Sequence, residues 1–167
     1  ACCGIPALSG GDLQTFQRLV RHNLERFEGL PFDYLVTACA TCTSTIKKLW
    51  PAMTGADPDL QRRTRRLAAK VLDIHQLLVD HVGLAPAPPG EAARVVTYHD
   101  PCHLKKSLKV FREPRAVIAA SAGWRLAEMQ ESDWCCGMGG SFNLQHYALS
   151  GRIGARTTRR VWAHANR

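Results

Sequence analysis

No apolar run in this sequence approaches the ~18 residues that a membrane span requires, and no leader pattern of basic, apolar and small residues opens it. These absences point to a cytosolic chain, free or held at the inner face of a membrane by a partner. An initiator methionine is also missing. The chain starts at Ala1-Cys2-Cys3-Gly4, so close to a reactive motif that a fragment or processed chain is expected. No Gly-x-Gly-x-x-Gly follows a strand and opens a helix, so there is no flavin or dinucleotide fingerprint. Acidic residues are few, 14 against 22 lysines and arginines, and the net charge is +8. The excess gathers at Arg62, Arg63, Arg65 and Arg66, and again at Arg152, Arg156, Arg159 and Arg160. No aromatic platform and no recognised motif accompanies those clusters, so nucleic acid is not an expected partner and both read as solvated helix faces.

What the sequence does have is cysteine. Seven stand at positions 2, 3, 39, 42, 102, 135 and 136 of a 167-residue chain whose 46% apolar content is ordinary for a globular protein with a full core. Secreted disulfide frameworks are usually short and evenly paired, whereas clustered cysteines in a larger intracellular chain more often bind metal or do redox chemistry. Two adjacent pairs strengthen that preference, because neighbours can bridge only through a strained ring.

Leu13, Phe16, Leu19, Val20, Leu24 and Phe27 recur at helical spacing between Asp12 and Glu28, with Gly29 as a stop. A short strand is expected over Tyr34–Thr37, leading straight into Cys39-Ala40-Thr41-Cys42 at its carboxyl end, where open α/β sheets place their sites. Thr43 or Ser44 is expected to cap a helix through Leu49, ended by Pro51, and one long helix is expected from Pro58 to Val82. The stiff, proline-rich stretch from Ala85 to Gly90 divides the chain. After it come a strand over Arg94–Tyr98, a helix over Glu113–Ser121, a strand over Trp124–Met129 and a basic helix over Leu144–Ala165. The alternation predicts an α/β fold of two Rossmann-like halves, each with a short parallel sheet flanked by helices. Residues 1–84 then form the later part of a first repeat, 85–93 a linker, and 94–167 the earlier part of a second.

The repeat is visible in the cysteines. Ala1-Cys2-Cys3-Gly4-Ile5 is echoed by Trp134-Cys135-Cys136-Gly137-Met138 at an offset of 133 residues. In the first half 35 residues separate Cys3 from the Cys39-x-x-Cys42 pair; in the second, 32 residues separate Cys102 from Cys135. Superposed, the halves make one unit: a lone cysteine, Cys-Cys-Gly, then Cys-x-x-Cys. Applied forward, the offset places a second Cys-x-x-Cys about positions 172 and 175, and applied backward it places a lone cysteine about thirty residues before Ala1.

Cys-x-x-Cys lets one turn present two sulfurs to neighbouring irons of an iron-sulfur cluster. Five cysteines per complete unit exceed the four that tetrahedral zinc takes. Gly4, Gly137, Gly139 and Gly140 let the main chain approach an inorganic core and offer amides to its sulfurs, or else simply form a tight turn. Other readings stand beside these. Cys39 and Cys42 suit a thioredoxin-like dithiol, and Cys102 a structural thiol. His99 and His103 suit either ligation or ordinary hydrogen bonding, Asp100 a turn, and His146 a solvent-facing position. Lys105 and Lys106 suit either neutralisation of cluster charge or solvation.

Thr37–Ile46, His99-Asp100-Pro101-Cys102-His103-Leu104 and Cys135–Phe142 resemble the cysteine-rich CCG domain family. That family includes one of the subunits of heterodisulfide reductase and the iron-sulfur subunits of glycolate- and lactate-oxidising complexes, and the last two stretches are more similar to the latter. The resemblance implies that Cys2, Cys3, Cys39 and Cys42 bind one cluster of the 4Fe-4S type, and Cys102, Cys135 and Cys136 a second. It also implies an electron-transfer subunit. A partner flavoprotein dehydrogenase removes the hydride, and this chain passes single electrons to another iron-sulfur subunit, a quinone or a membrane-associated acceptor. Two further functions stay open: a disulfide-reducing subunit like that of heterodisulfide reductase, and a zinc-stabilised scaffold.

Overall fold

The computed structural model describes residues 2–165; Ala1, Asn166 and Arg167, the outermost residues of the two expected halves, lie outside them. The chain forms two compact units, residues 1–74 and 75–167. Each carries a two-stranded parallel sheet among helices, the α/β architecture that the alternation of elements indicates. No helix of the described residues is long and apolar enough to cross a membrane.

The first unit opens with the Cys-Cys-Gly turn and helix α1, Ile5–Ser9. Helix α2 follows, Leu13–Glu28, with Asp12 accepting from the Thr15 amide at 2.9 Å as its amino-terminal cap. Its apolar stripe buries Phe16, Val20 and Leu24 completely. Strand β1, Leu35–Thr37, pairs in parallel with β2, Val71–Asp73, in the register Leu35 to Val71. Between them run α3 (Ala40–Ser44), a π-helical stretch (Thr45–Leu49), α4 (Trp50–Met53) and α5 (Pro58–Ala69).

Two expectations about this stretch are corrected. The helix begins at Ala40 with Cys39 in the capping position, not at Thr43 or Ser44, and it continues past Pro51. Pro51 falls in the first turn of α4, after the wide π turn, where its missing donor costs little. The expected helix from Pro58 to Val82 stops at Lys70. Val71, Leu72 and Asp73 are buried as β2, and only then does helix resume as α6 (Ile74–Gln76) and a π-helical turn (Leu77–His81). An apolar run buried on both faces fits strand and helix spacing alike, and pairing with β1 decides it.

The basic faces are partly committed to internal pairs. Arg63 and Arg66 both bond Glu28, Arg63 at 2.7 Å. The hydrogen bond from Arg63 holds the Glu28 carboxyl below its ordinary range. A lowered folded pKa contributes stability that is present above the unfolded value and is lost as the pH falls through the folded one. Glu28→Gln is therefore expected to flatten the acid side of the pH–stability curve, by no more than about 1 kcal/mol for so accessible a pair. Melting temperatures measured from neutral pH downward check this.

In the second unit, β3 (Arg94–Val96) pairs in parallel with β4 (Trp124–Leu126). A π-helical turn (His103–Leu108) and α7 (Glu113–Ala119) lie between them, and α8 (Ser141–Gln145) and α9 (Tyr147–Ala165) follow. The proline-rich segment runs along this unit, with the Ala87 and Gly90 amides donating to Ala119 and Ala122. Among the described residues, Leu104, Val110, Pro114 and Met129 are buried apolar ones of this unit, while Asp100, Glu113, Ser150 and Thr157 are buried polar ones. Polar contacts carry here much of what packing carries in the first unit.

Candidate metal centre

All seven cysteines are free thiols. In the first unit, the strand-to-helix junction after β1 sets Cys39 at the amino end of α3 and Cys42 in its first turn. The Cys-Cys-Gly turn comes to meet them, and Cys42 Sγ lies 3.5 Å from Cys3 Sγ. The amides of Cys42 and Thr41 pull the Cys39 thiol below its usual range. Burial, with Cys3 and Cys39 as neighbours, pushes the Cys42 thiol up to about 12. Sulfurs brought together in this way are soft donors of the kind that iron-sulfur chemistry uses.

The main chain of this turn is fixed from several sides. Cys3 is buried in the core with Phe16, Ile46 and Trp50, and its carbonyl accepts from Trp50 Nε1 at 2.9 Å. The Cys2 carbonyl accepts from Asn23 Nδ2 on α2 at 2.9 Å. Cys2 and Cys39 are exposed. Sequence reasoning passed over Asn23 and Trp50; a polar residue inside the apolar stripe of α2 is the signal that would have found the first.

The second Cys-Cys-Gly turn repeats this backbone. Gly4 N donates to Cys2 Sγ at 3.5 Å and Gly137 N to Cys135 Sγ at 3.4 Å, with φ of 92° and 80°. Neither glycine leaves room for a side chain: a Cβ on Gly4 would lie 2.8 Å from the Phe16 ring, and one on Gly137 2.4 Å from Ser150 O. Thr157 of α9 bonds the Cys135 carbonyl at 3.3 Å, the part Asn23 plays for Cys2. Ser150 Oγ donates to Gly137 O at 2.9 Å. The Gly139 and Gly140 amides turn back to Gly137 and Met138 carbonyls, and α8 begins directly after Gly140.

Cys102, exposed, stands at the head of the π-helical turn after β3, with His103 Nδ1 3.8 Å from its sulfur. His99 Nε2 meets the Trp134 carbonyl at 2.8 Å, which ties the Cys102 approach to the residue before Cys135. Asp100 is not a mere turn former; it is buried under Arg115, Lys105 and Ser132. Lys105 also reaches Asp133 at 3.4 Å, and His146 is exposed, packing at a tilt on Phe142. Arg156 stacks 3.6 Å from the Trp134 ring centre and pairs with Glu131, pinning the Cys-Cys loop to α9. Cys136 opens onto a groove of about 680 Å³ lined by Met138, Tyr147, Gly154 and Trp162.

Among the described residues no three histidine, cysteine or acidic side chains converge to hold a single metal ion. Thiolates on a cluster bind different irons, so they need a shared cavity and not a shared point. In the first unit the sulfurs of Cys3 and Cys42 meet across two segments, with Cys39 at the head of the same short helix as Cys42. The second offers three thiols on two turns bonded to each other.

The family model described as a cysteine-rich domain, CCG, matches residues 1–47 and 96–166. One subunit of the fumarate reductase (CoM/CoB) of Methanothermobacter marburgensis is 35% identical over 139 residues, which is 83% of this chain and 25% of that protein. A probable glycolate oxidase iron-sulfur subunit of Bacillus subtilis is 29% identical over 92% of this chain and 34% of its own length. Lactate utilization protein A of Oceanobacillus iheyensis is 30% identical over 89% of this chain and 59% of its own. The chain thus spans between a quarter and about three fifths of these curated relatives. No solved structure matches it.

Proposed function

From the premise that this chain belongs to the cysteine-rich CCG domain family, we propose that it is the iron-sulfur, electron-carrying part of a flavin-linked system that oxidises 2-hydroxy acids such as lactate or glycolate. The observation that carries the reading is the meeting of Cys3 and Cys42 across two segments beside Cys39, on a turn whose backbone recurs at Cys135-Cys136-Gly137. The names of the relatives from Bacillus subtilis and Oceanobacillus iheyensis support the substrate class.

On this reading Cys2, Cys3, Cys39 and Cys42 hold one cluster, and Cys102, Cys135 and Cys136 contribute to a second. Such a cluster, when bound, accepts and releases electrons singly. The chain's own residues do the rest. Gly4 and Gly137 bring the backbone to the sulfurs and direct an amide at the first cysteine of each pair. Trp50 and the core keep water from Cys3. Cys2 and Cys39, at the surface, mark the edge where a redox partner approaches. That partner is a flavoprotein dehydrogenase on one side, and a second iron-sulfur subunit, quinone or membrane-associated acceptor on the other. The whole works in the cytoplasm, docked at the inner face of the membrane where the acceptor is there.

The test is anaerobic isolation with assay of iron and acid-labile sulfide, followed by addition of the hydroxy acid and its dehydrogenase. Iron and sulfide in the chain, with visible absorption that bleaches only when both are present, is the expected result. Zinc in place of iron overturns it in favour of a scaffold. Bleached protein reoxidised by a heterodisulfide, with turnover in the absence of any dehydrogenase, overturns it in favour of disulfide reduction.

A further inference from the structure

The Asp100 side chain is 1% exposed, and its carboxylate collects four donors. Arg115 reaches Oδ1 through Nη1 at 2.8 Å and Oδ2 through Nη2 at 3.1 Å, Lys105 Nζ reaches Oδ2 at 3.1 Å, and Ser132 Oγ at 2.7 Å. Each of the three donor residues sits on a different piece of the site. Asp100 lies two residues before Cys102, Lys105 three after it, and Ser132 three before Cys135, while Arg115 belongs to α7. The Asp100 amide also donates to Ser132 O at 2.8 Å. Arg115 is held in its turn by Glu128 at 2.6 Å and the Phe111 carbonyl at 2.6 Å, and stacks on Tyr98 at 5.5 Å.

We propose that Asp100 is a positioning residue for the second cysteine set, its carboxylate fixing the Cys102 turn against the Cys135–Cys136 loop and so setting the spacing of the three sulfurs. As a device for receiving a cluster this rests on the iron-sulfur reading above; as a device for spacing thiols it does not. In the first unit sulfur meets sulfur directly. In the second, the spacing is set by residues two and three positions away from the cysteines. Only an ionised carboxylate suits the role. It accepts from four donor groups on three residues at once, two of those residues cationic, and a bidentate guanidinium gives it a fixed orientation. An asparagine would turn an amide donor toward Arg115 or Lys105. Residues that orient ligands from behind typically change metal affinity 10- to 100-fold when replaced.

The experiment uses the full chain in two states. Metal-free protein is treated with bis-maleimides of graded length, and links from Cys102 to Cys135 or Cys136 are quantified after digestion; separately, iron is measured after anaerobic reconstitution. Wild type is expected to favour one linker length. Asp100→Asn is expected to lose that preference, and its second set to bind iron about 10- to 100-fold more weakly, with the first set unchanged. Ser132→Ala leaves the carboxylate paired with Arg115 and Lys105, so it keeps the fold and its melting temperature while broadening the length preference. It decides the matter if Asp100→Asn does not fold. Unchanged linker preference in Ser132→Ala, and in Asp100→Asn where that folds, overturns the proposal. If wild type binds no iron, the iron-sulfur reading fails and the linker profile alone judges the spacing.

Discussion

Cys3→Ser is expected to empty the first cysteine set of iron and to loosen the core of the first unit together, whereas Cys2→Ser should do only the former. Cys3 is 8% exposed and packs with Phe16, Ile46 and Trp50, its sulfur 3.5 Å from that of Cys42. A serine hydroxyl is a poor ligand to iron, and in that apolar setting it lacks the partners a buried polar group needs. Leaving it so costs roughly 1–3 kcal/mol. Cys2 is exposed, and the contact its sulfur makes is with the Gly4 amide, so its replacement touches ligation and not packing. Iron per chain should fall in both variants by the share of the first set, and the melting temperature of the metal-free protein only in Cys3→Ser. Iron content equal to wild type in both would remove the pair from the ligand set.

That difference between two adjacent cysteines was not legible in the sequence, although much else was. The offset of 133 residues predicts two equivalent turns, and the paired amide-to-sulfur contacts of Gly4 and Gly137 repeat it in space. Helix α2 was legible from its stripe, its Asp12 cap and Gly29. Strand β2 was not, because Leu67, Val71, Ile74 and Leu78 satisfy helical spacing while the partner that makes Val71–Asp73 a strand lies 36 residues earlier in β1. The capping place of Cys39 was hidden by the better capping residues Thr43 and Ser44, which are buried inside the helix instead. Asp100 before Pro101 reads locally as a turn. Its partners Arg115 and Ser132 stand 15 and 32 residues away, and nothing in the local pattern announces a buried carboxylate.

The two units reach a similar end by different physics. In the first, the Cys-Cys-Gly turn is anchored by apolar packing, with Phe16 behind Gly4 and Trp50 over Cys3. In the second, helix α9 approaches so closely that Ser150 and Gly154 replace bulky side chains, and a Cβ on Gly154 would lie 2.8 Å from the Cys136 carbonyl. The turn there is held by hydroxyls, by the Arg156–Trp134 stack and by the Asp100 network.

This close approach makes Gly137→Ala the more damaging of the glycine substitutions. Gly137 has φ of 80°, which costs an L-residue about 1–2 kcal/mol, and the new methyl would meet Ser150 O at 2.4 Å and Gly154 N at 3.2 Å. Both obstacles are backbone of α9, which has no side-chain torsion to adjust, whereas Gly4→Ala meets the Phe16 side chain. Helix α9 must shift, with an overpacking cost of about 1–3 kcal/mol. Its movement breaks the Ser150 bond to Gly137 O and the Thr157 bond to Cys135 O. Gly139→Ala is the control: its φ is not positive, and its Cβ would meet Phe142 Cβ at an ordinary 3.5 Å. Gly137→Ala should therefore lower the melting temperature and strip iron from the second set, Gly139→Ala should do neither, and Gly4→Ala should fall between them. Equal melting temperatures for Gly137→Ala and Gly139→Ala would mean that α9 yields at no cost, and the tight seat of the second cysteine pair would then play no part in holding its sulfurs.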